Sequence, residues 1–214
     1  MLTGYIDVTI PINSRIPKWP GGYGVHISLL SDKSKGEFST SSRLDFDLHS
    51  GTHIDAPLHH VVDGKNTDDI PLNVLCGTCL IINCKGKEVI TKKDLLKFDL
   101  FEHKRLLIKT DNSDLWKEPY HEFFRDYCAL SVDAAQYIAD LSLELIGIDY
   151  LSIQKYHDSA KTHEVLLKNE IVILETLNLS NVESGLHNLI CLPMKVQNAE
   201  AAPCRVLVKP IAST

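Results

Sequence analysis

Residues 44–59 alternate between two kinds of side chain with a period of two. Apolar residues and small hydroxyl residues occupy the even positions, whereas acids and histidines, with Gly51 and Pro57, occupy the odd positions. In an extended chain the two sets point to opposite faces, so one face packs on a core while the other presents imidazoles and carboxylates together. Because four of the ten histidines fall within residues 49–60, this segment predicts a functional site built on extended chain.

The spacing of His49 and His53 limits how this segment can bind a metal. Four residues also separate the two histidines of a helical zinc pair, but Gly51, Thr52 and Pro57 disfavour a continuous helix. In a straight strand, four residues at about 3.3 Å each place the two Cα atoms roughly 13 Å apart, too far to share one ion comfortably. A bend is therefore needed, and Gly51 is the residue that permits it.

Five residues from two distant stretches are candidate metal ligands. His49, His53 and Asp55 lie close together in the chain, and imidazole with carboxylate suits zinc or another divalent transition metal. His163 lies in a predicted helix, and Glu175 ends an apolar run in which a carboxylate is costly unless it is paired or metal-bound. Each of these residues also has a structural interpretation. His49, His53 and Asp55 could form a solvated strand face, His163 could be a core histidine, and Glu175 could be a strand-end acid that reaches water.

Composition narrows the class of protein. With 44% apolar and 23% charged residues, the chain of 214 residues resembles an ordinary globular protein, and its length predicts one domain. The net charge of −6 argues against a nucleic-acid-binding surface, which needs a basic stripe. No run of about 18 apolar residues and no signal-peptide pattern is present. We therefore expect a cytoplasmic protein that binds neither a membrane nor a nucleic acid.

The cysteines do not predict a disulfide framework or a second metal site. Cys76 and Cys79 have the CxxC spacing of zinc and redox sites, but no second CxxC follows and the pair lies in an apolar, β-rich run. We expect both to be small buried hydrophobic residues, and we interpret Cys128, Cys191 and Cys204 in the same way.

Strand patterns and helix patterns are interspersed along the chain without a linker or an internal repeat. This mixture predicts a mixed α/β domain, and the polar residues 31–41 predict a loop or the end of a hairpin. The predicted strands are 5–12, 43–49, 78–84, 104–110, 128–132, 145–149, 170–176 and 204–209, and the predicted helices are 92–97, 119–125, 133–142 and 160–168.

Taken together, these motifs resemble the cyclase family of metal-dependent hydrolases, known from bacterial kynurenine formamidase and isatin hydrolase. The family motif His-x-Gly-Thr-His-x-Asp-x-Pro-x-His is complete at residues 49–59. A second family block, a histidine before a leucine-rich helical turn and a strand with an embedded glutamate, is matched by His163, Leu166, Leu167 and Glu175. An N-terminal Trp-Pro-Gly at residues 19–21 and a closing pattern at 192–205 extend the resemblance over essentially the whole chain.

The resemblance implies one cyclase-like metal-dependent hydrolase domain over residues 1–214, with the family's α/β fold (swivelling β/β/α), a β-barrel-like sheet core and flanking helices. It implies hydrolysis of an N-formyl amide or a cyclic amide by metal-activated water, as in arylformamidases, with a small-molecule substrate and a homodimer or higher homo-oligomer. Zinc is the expected metal and manganese the alternative, with one or two ions per chain. The implied metal ligands are His49, His53, Asp55, His163 and Glu175, the implied acid/base is His59, and Trp19 is an implied aromatic wall for substrate.

Two positions depart from the family pattern. The family glutamate is commonly followed by Asn-Leu, whereas Glu175 precedes Thr176, and the family Trp-Pro-Gly is commonly followed by Asp, whereas Gly22 stands here. Neither change removes an implied ligand, so they bear on the substrate pocket.

Two other functions are compatible with the same residues. One is a lactone hydrolase or a cyclase/dehydratase of a small-molecule pathway, and the other is a metal-binding protein without turnover. The intact motif favours an enzyme, because a metal sensor has no need of the additional imidazole of His59. The chain has no Gly-x-Ser-x-Gly and no nucleotide-binding glycine motif.

Overall fold

A sheet that closes on itself forms the centre of the fold. The computed structural model describes residues 3–117, 122–141 and 143–211, and within these ranges seven strands pair in a ring. The short strand β1 (Ile6–Asp7) pairs with the last strand outside this ring, and two further short strands, β6 (Val89–Ile90) and β8 (Ala129–Leu130), pair in a separate parallel sheet. In ring order the seven strands are β4 (His53–Asp55), β12 (Ala201–Pro210), β11 (Gly185–Pro193), β5 (Cys76–Asn83), β7 (Arg105–Lys109), β9 (Leu145–Ile148) and β10 (Val172–Glu175).

The three neighbouring strands β7, β9 and β10 are parallel and almost entirely buried. Parallel strands covered on both faces read as continuous apolar runs, which is why these three segments were recognisable as strands. On one face, Ile108 and Ile146 pack in a cluster with the helices that follow the strands. On the other face, Leu107 and Leu174 pack with residues inside the ring. The mixed α/β prediction with a barrel-like sheet is therefore confirmed.

Four α-helices flank the sheet within the described residues: α1 (Leu72–Leu75), α2 (Lys92–Leu95), α3 (Val132–Asp140) and α4 (Lys161–Lys168). The helices predicted at 92–97, 133–142 and 160–168 are confirmed to within a few residues. Of the helix predicted at 119–125, residues 119–121 lie outside the described residues, and 122–125 form no helix. None of the described helices is long and apolar enough to cross a bilayer.

The alternating segment is not one continuous strand. Residues 41–46 form β3 (Ser41–Phe46), which pairs with β2 (Val25–Ser31) in a separate two-stranded ribbon, and the chain then turns before β4. The turn is closed by a hydrogen bond from the Ser50 N–H to the Asp47 carbonyl, and Gly51 has a φ of +66°. The strand predicted at 43–49 therefore extends past the observed end of β3 at Phe46, because residues 47–50 form a turn instead of extended chain.

The six cysteines are free thiols, and all except Cys76 are buried. Burial raises the pKa of the Cys79 thiol to about 12 and that of Cys128 to about 12, so both stay protonated at neutral pH. The prediction of a buried small residue is therefore confirmed for Cys79 but not for Cys76, which is only partly buried.

Candidate metal centre

Strand pairing brings three of the candidate ligands together. In the antiparallel pair of β4 and β10, Glu175 lies directly opposite His53, and Ile173 lies opposite Asp55. His53 and Asp55 point to the same side of β4, because they are two residues apart, whereas Ile54 points into the core. His53 Nε2 lies 3.5 Å from Asp55 Oδ1 and 3.5 Å from Glu175 Oε2. A residue from the C-terminal half thus completes a cluster begun near residue 50.

The bend at Gly51 brings His49 back to the same cluster. The ring centroids of His49 and His53 are 5.1 Å apart, and His49 Nδ1 lies 3.0 Å from Asp55 Oδ1. Thr52 holds the bend, because its hydroxyl donates to the Thr176 carbonyl at 2.5 Å and accepts the Ile10 N–H at 2.8 Å. The bend predicted from the spacing of the two histidines is therefore confirmed.

His163 and His59 reach the cluster from two further elements. His163 lies on α4, and its Nε2 atom is 3.2 Å from Glu175 Oε1 and 3.7 Å from Asp55 Oδ2. His59 ends a 3-10 helix, Pro57–His59, and its ring centroid lies 4.4 Å from that of His49. All five implied ligands and His59 therefore lie in one cluster, although two stretches of chain more than a hundred residues apart supply them.

The donor atoms of this cluster fit a divalent cation. His53 Nε2 and Asp55 Oδ2 are buried without a hydrogen-bond partner among the described residues, while Asp55 Oδ1 lies 3.0 Å from His49 Nδ1. Leaving such atoms unsatisfied costs about 1–3 kcal/mol each, and more for charged groups. The His53 Nδ1 atom lies 2.8 Å from the Gly51 carbonyl, which fixes the tautomer with a free lone pair on Nε2. Two sets of donor atoms lie close enough to share an ion: His53, Asp55 and Glu175, and His49, Asp55 and His59.

Charges in the cluster also favour a cation. Burial raises the pKa values of Asp55 and Glu175, but the surrounding imidazoles outweigh burial and hold both pKa values below their usual range. Burial lowers the pKa of His49, but the hydrogen bond and charge of Asp55 outweigh it and raise the pKa to about 9. A proton and a metal therefore compete for His49, so metal affinity falls as pH falls.

His59 differs from the other imidazoles. Burial, followed by the nearby imidazoles of His49, His60 and His163, lowers the pKa of His59 to about 4, although the charge of Asp55 opposes them. His59 is therefore neutral at pH 7 and can accept a proton.

A cavity of about 540 Å³ opens above the cluster. Trp19 lines this cavity with 39% of its surface exposed, and its ring contacts those of Phe123 and Tyr156 at centroid distances of 5.1 and 5.2 Å. The side chain is thus both a wall of the cavity and a member of an aromatic cluster.

The neighbourhood of Gly22 explains the first departure from the family pattern. A Cβ atom at Gly22 would lie 3.0 Å from the Trp19 carbonyl oxygen and 3.3 Å from Asp47 Oδ2. That Asp47 oxygen accepts the N–H groups of Tyr23 and Gly24. The carboxylate of Asp47 therefore fills the space next to residue 22, where an aspartate would place a second negative charge against it.

Thr176, the second departure, is conformationally strained. Its φ is +61°, a left-handed conformation that asparagine tolerates and that β-branched residues strongly disfavour. The surrounding contacts impose this conformation, since the Thr176 N–H donates to the Tyr150 carbonyl at 2.7 Å and the Thr176 carbonyl accepts from Thr52. The Thr176 hydroxyl is buried and finds no hydrogen-bond partner in the described part of the chain.

Five further polar residues line the cavity and were not among the candidates from the sequence: Asp47, His60, Ser152, Gln154 and Glu200. His60 follows His59 and lies against His163, with ring centroids 5.1 Å apart. Gln154 comes from the loop after β9, and Glu200 precedes β12. The doubled histidine could have indicated His60, but no pattern in the sequence distinguishes Gln154 or Glu200.

Comparisons with known proteins agree with this geometry. The Cyclase family model, described as "Putative cyclase", matches residues 6–155. The chain is 34% identical to kynurenine formamidase from Bacillus anthracis over 209 residues, which cover 97% of this chain and 98% of that protein. A solved structure described as a potential metal-dependent hydrolase with cyclase activity superposes with a TM-score of 0.84 at 33% identity, covering 98% of each chain.

A more distant likeness concerns the fold alone. Isatin hydrolase A from Labrenzia aggregata superposes with a TM-score of 0.79 at 19% identity, over 95% of this chain and 92% of that one. The closed sheet with flanking helices is therefore shared with solved structures over nearly the whole chain.

The strain at Thr176 predicts that Thr176→Asn stabilises the protein. Strained backbone of this kind costs about 1–3 kcal/mol, and asparagine adopts the conformation with less strain. We expect the midpoint of thermal unfolding to rise by roughly 2–4 °C for each kcal/mol recovered in a chain of this size. Differential scanning calorimetry measures the shift. Thr176→Val is the control, because it removes the unpaired hydroxyl and keeps the β-branched strain; an equal or larger gain for valine would contradict the conformational explanation.

Proposed function

The chain belongs to the cyclase family, and on that basis we propose that it is a metal-dependent hydrolase that cleaves the C–N bond of an N-formyl amide. The observation that carries this proposal is the convergence of three imidazoles and two buried carboxylates beneath a cavity of small-molecule size. The 34% identity to a kynurenine formamidase over nearly the full length of both chains supports an arylformamide as the substrate class. Such a substrate would place the protein in tryptophan catabolism, and a cytoplasmic location is part of the same proposal.

We assign His49, His53, Asp55, His163 and Glu175 as the residues that hold the metal. His53, Asp55 and Glu175 form one complete donor set, which supports one ion, and a second ion beside His49 and Asp55 would need His59 as a further donor. Imidazole and carboxylate donors suit zinc, the metal we propose, with manganese as the alternative. When bound, the metal supplies a water that ionises near neutral pH and a Lewis acid for the substrate carbonyl.

We assign His59 to proton transfer. Its imidazole is neutral at pH 7, stands beside His49 at the edge of the cluster and lines the cavity. An imidazole nitrogen of His59 accepts the proton of the attacking water and returns it to the nitrogen of the leaving amine. Such acid/base assistance is typically worth about 100- to 10,000-fold in rate.

The cavity lining is suited to a small, flat molecule. A volume of about 540 Å³ lies in the usual range for small-ligand sites, and Trp19, Leu48 and Leu151 supply apolar wall. Trp19 would contact the ring of an aryl substrate. Among the described residues that line the cavity, none is lysine or arginine, and the hydrogen-bond donors there are histidines, Ser152, Gln154 and Trp19.

We also propose that the protein is a homodimer, formed through the ribbon of β2 and β3. Ile27 and Leu44 lie opposite each other on this ribbon and are 52% and 45% exposed, and Leu29 on the same face is 52% exposed. An isolated two-stranded ribbon is marginally stable in water. A second copy presenting the same face would cover these side chains in an isologous contact.

Single substitutions separate the two roles within the cluster. We expect His59→Ala to keep its bound metal and lose about 100- to 10,000-fold in kcat, because only the proton carrier is removed. We expect His53→Ala to lose both metal and turnover, because it removes a buried ligand. Metal content by mass spectrometry and initial rates on the same protein samples measure the two effects.

His103→Ala serves as the control, since His103 lies outside the cavity lining. It should retain both metal and activity. Full activity in His59→Ala would show that the acid/base assignment is wrong, and a lower metal content in that variant would make His59 a ligand instead.

A substrate screen tests the proposed reaction itself. Zinc- and manganese-reconstituted protein is assayed with N-formylkynurenine, simpler aryl formamides, isatin and a set of lactones. We expect the highest kcat/KM for an aryl formamide, and chelator treatment should abolish the activity. Preference for a lactone or for isatin would overturn the substrate class, and tight metal binding without hydrolysis of any compound would identify a metal-binding protein without turnover.

The ribbon contact predicts the effect of polar substitutions on assembly. We expect the wild-type chain to elute at twice the mass of one chain in size-exclusion chromatography with light scattering. Ile27→Ser combined with Leu44→Ser should shift it to the monomer mass, because the shared apolar face is lost. Leu72→Ser, at a 69% exposed leucine outside the ribbon, is the control. A dimer that persists in the double variant would place the interface elsewhere.

A further inference from the structure

Glu200 is a carboxylate in the cavity that neither the sequence motif nor the proposed mechanism uses. Its backbone is fixed against the strand that carries Asp55, because the Glu200 carbonyl accepts the Ala56 N–H at 2.8 Å and Ala201 pairs with Asp55. The position of Glu200 relative to the metal cluster is therefore set by the pairing of β12 with β4, not by a loop.

The Glu200 side chain is directed at the outer nitrogen of His49. Glu200 Oε1 lies 3.4 Å from His49 Nε2, and the other nitrogen of that ring, Nδ1, lies 3.0 Å from Asp55 Oδ1. The imidazole thus stands between two carboxylates. Asp55 is fully buried in the cluster, whereas the side chain of Glu200 is 40% exposed at the cavity wall.

The three metal-site histidines differ in the partner of the ring nitrogen that faces away from the cluster. The Nδ1 atom of His53 lies 2.8 Å from the Gly51 carbonyl. The Nδ1 atom of His163 has no hydrogen-bond partner among the described residues, but α4 and the surrounding core hold that ring in place. His49 lies in the turn between β3 and β4, with its side chain 31% exposed. Its ring therefore depends most on a side-chain partner for orientation.

We propose that Glu200 is a positioning residue that orients His49 for metal binding. A carboxylate on the far nitrogen of a ligand histidine fixes the tautomer and ring orientation and makes the ligand nitrogen more basic. The negative charge of Glu200, 3.4 Å from Nε2, favours the tautomer with its proton on Nε2, which leaves Nδ1 to face Asp55 and a shared ion. This inference rests on the metal site of the proposed function but not on the identity of the substrate.

Metal affinity of the apoprotein tests this role without any assay of turnover. Zinc affinity is measured by competition with a chromophoric chelator for the wild type, Glu200→Ala and Glu200→Gln. Loss of such a carboxylate typically costs about 10- to 100-fold in metal affinity, which we expect for Glu200→Ala. Glu200→Gln should recover part of the loss, because its amide oxygen still accepts from Nε2 but carries no charge.

Glu164→Gln is the matched control. Glu164 follows His163 on the same helix, and its side chain is 41% exposed and pairs with Lys168 at 3.0 Å. The substitution removes one negative charge near the cluster without touching His49, so we expect zinc affinity to stay within about two-fold, the size of effect that a screened surface charge produces.

A double-mutant cycle shows whether Glu200 acts through His49. In a His49→Ala background, Glu200→Ala should cause no further loss of zinc affinity, because the ring it positions is absent. An equal loss in both backgrounds would overturn the proposal, since Glu200 would then act on the metal directly or on the fold. Unchanged zinc affinity in Glu200→Ala would overturn the proposal by itself, and a raised KM in that variant would make Glu200 a substrate contact instead.

Failure of this inference is distinguishable from failure of the proposed function. If the wild-type protein binds no divalent metal, the metal site itself is wrong and both fall together. If it binds zinc and hydrolyses none of the compounds screened, the substrate proposal fails, while the response of zinc affinity to Glu200 still decides the positioning role.

Discussion

Two buried carboxylates placed side by side are the constraint on which the rest of this structure depends. Asp55 and Glu175 are almost fully buried, and both contact the same imidazole, His53. Two like charges in such a setting destabilise a fold unless positive charge or a cation compensates them. The imidazoles that surround the carboxylates supply part of that compensation, and a divalent metal fits His53 Nε2 and Asp55 Oδ2, which form no hydrogen bond with any residue that the structure describes.

Closure of the sheet is what makes this arrangement possible. Strand β4 is only three residues long, yet it pairs with β10 on one side and with β12 on the other. One pairing delivers Glu175, and the other delivers Glu200. The hydroxyl of Thr52 ties the preceding bend to two other segments, so the site is supported by backbone from four parts of the chain. This support also imposes the strained conformation of Thr176, directly after Glu175.

Much of the fold was predictable because local patterns and tertiary environment agree. The buried parallel strands β7, β9 and β10 are continuous apolar runs, and α3 and α4 have helical periodicity. The predictions failed where two interactions compete. Strands β2 and β11 were not predicted. Both are partly exposed and mix polar with apolar side chains, so their sequences lack the continuous apolar run of a buried strand. The turn before β4 interrupts an alternating pattern that extended chain would have continued.

The kind of chemistry is evident from local sequence, because the spacing of His49, His53 and Asp55, the glycine at position 51 and the carboxylate in an apolar run are features of neighbouring residues. Tertiary structure alone decided the register that sets Glu175 opposite His53 and the closure that brings Glu200 to His49. The physical reason is that hydrogen-bonded pairing between strands distant in sequence depends on the whole sheet. A local pattern specifies which face a side chain occupies, but not which residue it meets there.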